Sequence, residues 1–153
     1  MAGIVGSNVV VQIGFVVRDL AVAQKKFSQF LGVEPMAVSD LGPYEVTQTR
    51  YYGEPAPDAD NRMAFFDAGN GLQIELIQPN GVKSAWQDFL EEHGEGFHHL
   101  AFGVKGMDGH IEACEAAGFQ CVQRGQYGDG SGQYAYLDAW NDLKFMVELL
   151  ESY

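Results

Sequence analysis

Apolar side chains alternate with polar or small ones along four short stretches of the chain. Val11, Ile13, Phe15 and Val17 share one parity, with Gln12 and Gly14 on the other; Leu72, Ile74 and Leu76 oppose Gln73 and Glu75. Leu100, Phe102 and Val104 oppose His99, Ala101 and Gly103, and Phe145, Val147 and Leu149 oppose Met146 and Glu148. A period of two predicts strands with one face packed and the other carrying a single coordinating side chain. Elsewhere the period lengthens. After Asp19, a helix N-cap, Leu20, Ala23, Phe27, Phe30 and Leu31 recur at helical spacing until Gly32.

These patterns predict a strand over 9–17, a helix to Leu31, and strands over 44–52, 63–67 and 72–77. The last two are joined by the turn Ala68-Gly69-Asn70-Gly71, and the Pro/Asp-rich stretch 53–61 reads as an exposed loop. A helix over 84–92 follows. The order then recurs: a strand over 97–104, a helix over 107–117 closed by Gly118, and strands over 119–124, 134–137 and 143–150. Gln12-Ile13-Gly14-Phe15 lies over His99-Leu100-Ala101-Phe102, and Ile74-Glu75-Leu76-Ile77 over Val147-Glu148-Leu149-Leu150. The chain is read as one α+β domain, 1–153, made of two βαβββ modules (8–79 and 95–151) joined by a linking helix segment, 80–94.

Under that symmetry Gln12, Glu75, His99 and Glu148 point into one concave surface. An isolated Glu in a strand is ordinarily just solvated; four coordinating groups at equivalent repeat positions point to a divalent metal site. Two carboxylates, an amide oxygen and an imidazole suit Zn, Co, Ni or Mn, and Fe(II), better than thiolate-loving ions. Two further positions on such an ion would admit a small-molecule substrate with adjacent oxygens. The ion would act as a Lewis acid while a proton leaves the carbon beside a carbonyl.

Composition narrows the partners. The 153 residues carry 21 acidic and 9 basic side chains, a net charge of -12, with the Lys and Arg scattered. A nucleic acid or an anionic membrane surface would repel such a chain. No apolar run approaches the roughly 20 residues that span a bilayer, and the opening MAGIVGSNVV lacks a basic start, so a cytoplasmic protein is expected. Cys114 and Cys121 are too few for a disulfide scaffold.

The motifs Gln12–Leu20, Gln73–Pro79, Gly96–Phe102 and Val147–Glu151, in this order and spacing, resemble the vicinal oxygen chelate superfamily, which includes glyoxalase I, methylmalonyl-CoA epimerase, extradiol dioxygenases and bleomycin-resistance proteins. The resemblance implies a cupped, incomplete β-barrel-like sheet with helices outside, one divalent ion (Zn, Co, Ni or Mn) on Gln12, Glu75, His99 and Glu148, and a homodimer. Gln12 departs from the His common at its position and argues against extradiol chemistry, which needs two His and one carboxylate.

The stretch Pro79–Leu90 followed by Gly94-Glu95-Gly96-Phe97-His98-His99 is similar to the epimerase branch, so an isomerase of methylmalonyl-CoA epimerase type is expected. The alternatives are a glyoxalase I-like lactoylglutathione lyase and a ligand-sequestering binding protein. The epimerase's second acid has no match on the strand Arg62–Phe66, which leaves Glu148, with Glu75 beside it, as candidate catalytic residues and Glu45 as a possible substitute. Gln48, Arg50 and Tyr136 are the candidate substrate contacts, the first two sharing a strand face with Tyr52. Tyr134 and Tyr136 are either core aromatics or a pocket wall. His98, of opposite parity to His99, is expected under the helices as a hydrogen-bonded structural residue.

Overall fold

The computed structural model describes residues 1–153. The first module begins with β1 (Gln12–Val16), α1 (Leu20–Leu31), β2 (Ala37–Asp40), the one-turn helix α2 (Tyr44–Thr47) and the short strands β3 (Arg50–Tyr51) and β4 (Glu54–Pro55). It ends with β5 (Asn61–Asp67) and β6 (Gln73–Pro79), and α3 (Ala85–His93) follows. Then come β7 (Gly96–Gly103), α4 (Met107–Ala116), β8 (Gln120–Gln126), β9 (Gly132–Asp138), the one-turn α5 (Trp140–Leu143) and β10 (Met146–Ser152).

All ten strands form one mixed sheet in the order β2-β5-β6-β1-β7-β10-β9-β8-β3-β4. β1 runs parallel to β6, and β7 parallel to β10; the antiparallel β1–β7 pair joins the two halves. Each half repeats the same path outward, β6 to β5 to β2 and β10 to β9 to β8, so the expected βαβββ repeat is present in the pairing itself. The sheet curls into an open half-barrel.

The two long helices cover its outside. Asp19 caps α1 by accepting from the Val22 N–H, and Gly32 ends it at a φ of 73°. Leu20 and Phe27 pack with Phe15, Phe66, Ile74 and Leu76, while Met107, Ile111 and Cys114 of α4 pack on Ala135, Leu137, Val147 and Leu149. The face expected to be apolar is the face the helices bury. None of the helices is long and apolar enough to cross a membrane.

The segment 44–52 is not the strand expected. Pro43 fixes the entry to α2 at a φ of -70°, and Gln48 leaves it in the left-handed region at 46°. The strand of this module is instead Ala37–Asp40, a fully exposed edge strand whose apolar signal is too weak to stand out. The stretch expected as a loop contributes β4. Tyr52 and Gly53, both at positive φ, make the tight two-residue turn between β3 and β4. Because β3 pairs with β8 of the other module, the chain after β2 crosses the mouth of the half-barrel and ties its two edges together. Leu41 and Gly42 lie directly against Gly128 there, in the connection between β8 and β9.

Candidate functional site

The concave side of the sheet encloses a cavity of about 680 Å³. Gln12 of β1, Glu75 of β6, Glu148 of β10 and Tyr136 of β9 line it, with Met63 and Phe65 of β5 and Trp86 of α3. The two central strand pairs place three of the expected ligands within contact of His99. Its Nε2 lies 2.9 Å from Gln12 Oε1, 2.9 Å from Glu148 Oε2 and 3.5 Å from Glu75 Oε1. All four residues are buried.

A neutral imidazole has one N–H per ring, so Nε2 satisfies at most one of these oxygens. Glu75 Oε1 and Glu148 Oε2 indeed have no hydrogen-bond partner, although the second is in contact with the ring. The contact lies off the N–H direction and is proximity without a bond. Buried oxygens left unpaired cost several kcal/mol in aggregate. Cis donors on an octahedral ion with bonds of about 2.1 Å sit about 3.0 Å apart, close to the 2.9, 2.9 and 3.5 Å from His99 Nε2 to its three neighbours, so the donor set suits a divalent cation. The ligand atoms of Glu75, His99 and Glu148 all lie within 4.8 Å of one another.

The electrostatics of the cation-free site agree. Burial, and then the charge of Glu148, hold the Glu75 carboxyl well above its usual range. Burial raises Glu148 to about 8, with the neighbouring Tyr136 hydroxyl opposing the rise. Burial also lowers His99 to about 3, keeping the imidazole neutral with a lone pair for a ligand.

Three neighbours fix the geometry. Gln73, the register partner of Gln12, accepts from Gln12 Nε2 at 2.6 Å and so turns the amide oxygen towards His99. Gly14, opposite His99 across β1–β7, leaves room for the ring. His98 Nδ1 lies 2.9 Å from His99 Nδ1; when His99 donates that bond, Nε2 offers a lone pair to a cation, and when His99 accepts it, Nε2–H donates to Gln12 Oε1. Gln73 shares the parity of Glu75 along β6, and that alternation is the sequence signal for its place beside Gln12.

His98 is not under the outer helices. Gly14 pairs with His99 and Phe15 with Phe97, so His98 is the extra residue of a β-bulge. The bulge resets the alternation: Phe97 turns outward onto Phe15, and His98 packs inside against Phe89, His99 and Tyr136. It is buried and hydrogen-bonded, as expected of a structural histidine, on the other side of the sheet.

Tyr134 and Tyr136 form a wall of the cavity with Trp86, whose indole N–H donates to the Tyr136 hydroxyl at 3.0 Å. Gln123, buried behind them, accepts from Ala85 N and donates to the Tyr134 hydroxyl, anchoring the start of α3 to the wall. Gln48 and Arg50 do not line the cavity. Gln48 is exposed and bonded to the Tyr44 carbonyl, and Arg50, on the short strand β3 that follows the one-turn helix α2, donates to the Gly53 carbonyl. Glu45 lies exposed on α2, away from the cavity. Trp86, Asp129 and Ser131 also line the cavity; Trp86 lies within the helix expected over 84–92, and periodicity carries no signal for the other two.

Residues 11–136 match the family model described as the glyoxalase/bleomycin resistance protein/dioxygenase superfamily. The uncharacterized protein YqjC of Bacillus subtilis (strain 168) is 31% identical over 90 residues, which cover 58% of this chain and 64% of that protein's length. Methylmalonyl-CoA epimerase from Mycobacterium tuberculosis superposes with a TM-score of 0.67 at 20% identity, over 94% of this chain and 87% of its own. A hypothetical protein from Bacillus halodurans C-125 gives a TM-score of 0.69 at 23% identity and 96% coverage of both chains. A variant of Streptomyces coelicolor methylmalonyl-CoA epimerase, in complex with 2-nitronate-propionyl-CoA, gives 0.66 at 19% identity over 94% of this chain and 96% of its own. At these identities the structural likeness speaks for the fold.

Proposed function

Because the chain belongs to the glyoxalase/bleomycin resistance protein/dioxygenase superfamily, we propose that it is a divalent-metal-dependent enzyme that moves a proton on a carbon next to a carbonyl, an isomerase of the methylmalonyl-CoA epimerase type. The observation that carries this reading is the convergence of Gln12, Glu75 and Glu148 oxygens on His99 Nε2, with Glu75 Oε1 and Glu148 Oε2 unpartnered at the base of a cavity. The four side chains would hold Zn, Co, Ni or Mn, and the bound ion would supply a Lewis acid that stabilises negative charge on a substrate oxygen.

The chain's own residues divide the remaining work. Gln12, His99 and Glu75 hold the site, with Gln73 fixing the amide of Gln12. Glu148 takes and returns the proton once free of the cation, since burial raises the uncoordinated carboxyl to about 8 whereas coordination would lower it. Tyr136, held by Trp86, donates towards Glu148 and bounds the space for the substrate. Trp86 and the two tyrosines exclude water from the reacting carbon.

A second reading, a glyoxalase I-like lyase, draws on the absence of a further acid on β5 beside the coordinating cluster: Met63 and Phe65 fill the places on β5 that face the site, Glu45 is outside the cup, and Asp40 and Asp129 stand at its mouth. Heavy water separates the two. The purified protein is assayed for bound metal and then given methylmalonyl-CoA, the hemithioacetal of methylglyoxal and glutathione, and acetoin. Metal-dependent deuterium uptake at the α carbon of any of them supports proton transfer, and formation of a lactoyl thioester selects the lyase. Metal-loaded protein that exchanges none yet binds one tightly is a sequestering protein, and the proposal is lost.

A further inference from the structure

The cup contains negative charge and aromatic surface but no cation. Of its 20 lining residues none is Lys or Arg, whereas Glu75 and Glu148 stand at the base and Asp40 and Asp129 at the mouth. Two basic side chains bond to lining residues from outside the cup: Arg62 to Asp40 at 3.1 Å on the exposed edge of the sheet, at opposite parity to the inward Met63, and Lys105 to the Ser152 carbonyl. Arg124 is bonded to Asp108, and Lys83 lies beside Asp88. The walls are Phe65, Trp86, Tyr127, Tyr134 and Tyr136. Several of their polar atoms are already engaged, including the Trp86 indole N–H, which is spent on Tyr136.

An anionic group entering this space sheds its hydration and meets no Lys or Arg in return; its one cationic partner would be the bound ion itself. It also meets the field of a chain whose net charge is -12. The donor set adds to the same balance, since the two carboxylates at the base already offset a divalent ion. From this we infer, resting on the proposed proton-transfer reading, that the substrate is electroneutral inside the cup: a small α-hydroxyketone or similar molecule with adjacent neutral oxygens and no carboxylate, phosphate or sulfate group. Malonyl-type acyl groups and the γ-glutamyl and glycyl carboxylates of a glutathione adduct are excluded from the cavity, so the proposed kinship with the epimerase is one of reaction and not of substrate. The aromatic walls accept an aliphatic or aryl substituent on the carbonyl compound.

Acetoin and lactate test this directly, because they share size and the hydroxyl-bearing carbon and differ in a methyl ketone against a carboxylate. Their binding to the zinc-loaded protein is measured by calorimetry and, independently, by the visible spectrum of the cobalt-loaded protein. Acetoin is expected to bind at least about tenfold more tightly than lactate, the reverse of their order on the free ion. Glu75→Gln removes one negative charge from the base and should move the ratio at least about tenfold towards lactate. Leu150→Lys, which places a cation on the wall, should do the same with the four coordinating groups intact.

Protein that takes up no metal overturns the proposed function itself. Metal uptake with lactate or methylmalonyl-CoA bound more tightly than acetoin overturns only the inference about charge. So does metal uptake with neither small molecule perturbing the cobalt spectrum, or a ratio that neither variant shifts.

Discussion

Substituting Gly14 by Ala tests the site through one carbon. Gly14 has ordinary extended backbone in the middle of β1, so Ala is conformationally acceptable there. In an empty environment the change would stabilise the protein by about 0.4–1 kcal/mol by restricting the unfolded chain. Here the new β carbon falls inside the His99 imidazole, against Cε1, Nδ1 and Nε2, where real Cβ atoms never come within 3.0 Å and ordinary contact begins at 3.4 Å. The ring must retreat by roughly 1.5 Å to reach that contact. It has no free space to do so, being fully buried and held between Gln12 and His98.

Overpacking of this kind costs about 1–3 kcal/mol, so the sign of the stability change reverses. The same displacement exceeds the tolerance of roughly 0.2 Å on a metal–nitrogen bond, and zinc or cobalt affinity should fall at least about 100-fold. Urea denaturation in EDTA reads the first effect, and competition with a chromogenic chelator reads the second. His99→Ala in the same background removes the ring, so Gly14→Ala should then cost nothing; the double-mutant cycle should show a coupling of about 1 kcal/mol or more. Wild-type metal affinity in Gly14→Ala, or an unchanged cost with His99 absent, would refute the reasoning.

Two further outcomes follow from the same cluster. The Glu148 carboxyl is raised to about 8 from an unfolded value near 4.5, and Glu75 is raised as well, so the metal-free fold is favoured below the unfolded value and loses that stability as pH rises through about 8. Denaturation midpoints in EDTA should fall between pH 6 and pH 9, whereas excess zinc, which binds the deprotonated groups, should remove or invert the slope; a flat metal-free profile contradicts the burial argument. Gln73→Leu deletes the acceptor that turns the Gln12 amide, and should weaken metal binding about 10–100-fold while changing metal-free stability by less than about 1 kcal/mol; unchanged affinity would mean that Gln12 needs no orienting partner.

What the sequence revealed follows the strength of its periodic signals. β1, β6, β7 and β10 lie at the centre of the sheet, with one face under helices and the other lining the cup, and their alternation is clean enough to sort Gln12, Glu75, His99 and Glu148 onto one surface. β2 is an edge strand with all four residues exposed, so nothing in its burial imposes a period. The segment 44–52 is β-rich in composition, yet Pro43 and the left-handed Gln48 decide its path, and its last residues pair across the mouth with β8. Long-range pairing overrides propensity at that point, and with it the expected positions of Gln48 and Arg50. The bulge at His98 was hidden for a related reason: parity assumes an uninterrupted strand, and one extra residue reverses every side chain before it.

The cost of the cluster argues that it is more than packing. Two carboxyls, an amide and two imidazoles occupy the centre of the sheet, where the equivalent positions on the outer face hold Phe15, Leu76 and Leu149. Apolar side chains of similar volume would remove the unpartnered oxygens of Glu75 and Glu148 and the penalty of desolvating both groups. Each supporting residue instead maintains the polar arrangement: Gly14 gives up a side chain so that His99 fits, Gln73 aligns Gln12, and Trp86 fixes Tyr136. On the proposed reading, a fold that sustains this arrangement would recover that stability when a cation occupies the cluster. It follows that Glu75→Gln with Glu148→Gln should stabilise the metal-free protein at neutral pH while abolishing metal-dependent exchange. A double variant less stable than the metal-free wild type would show that the carboxyls serve the fold itself.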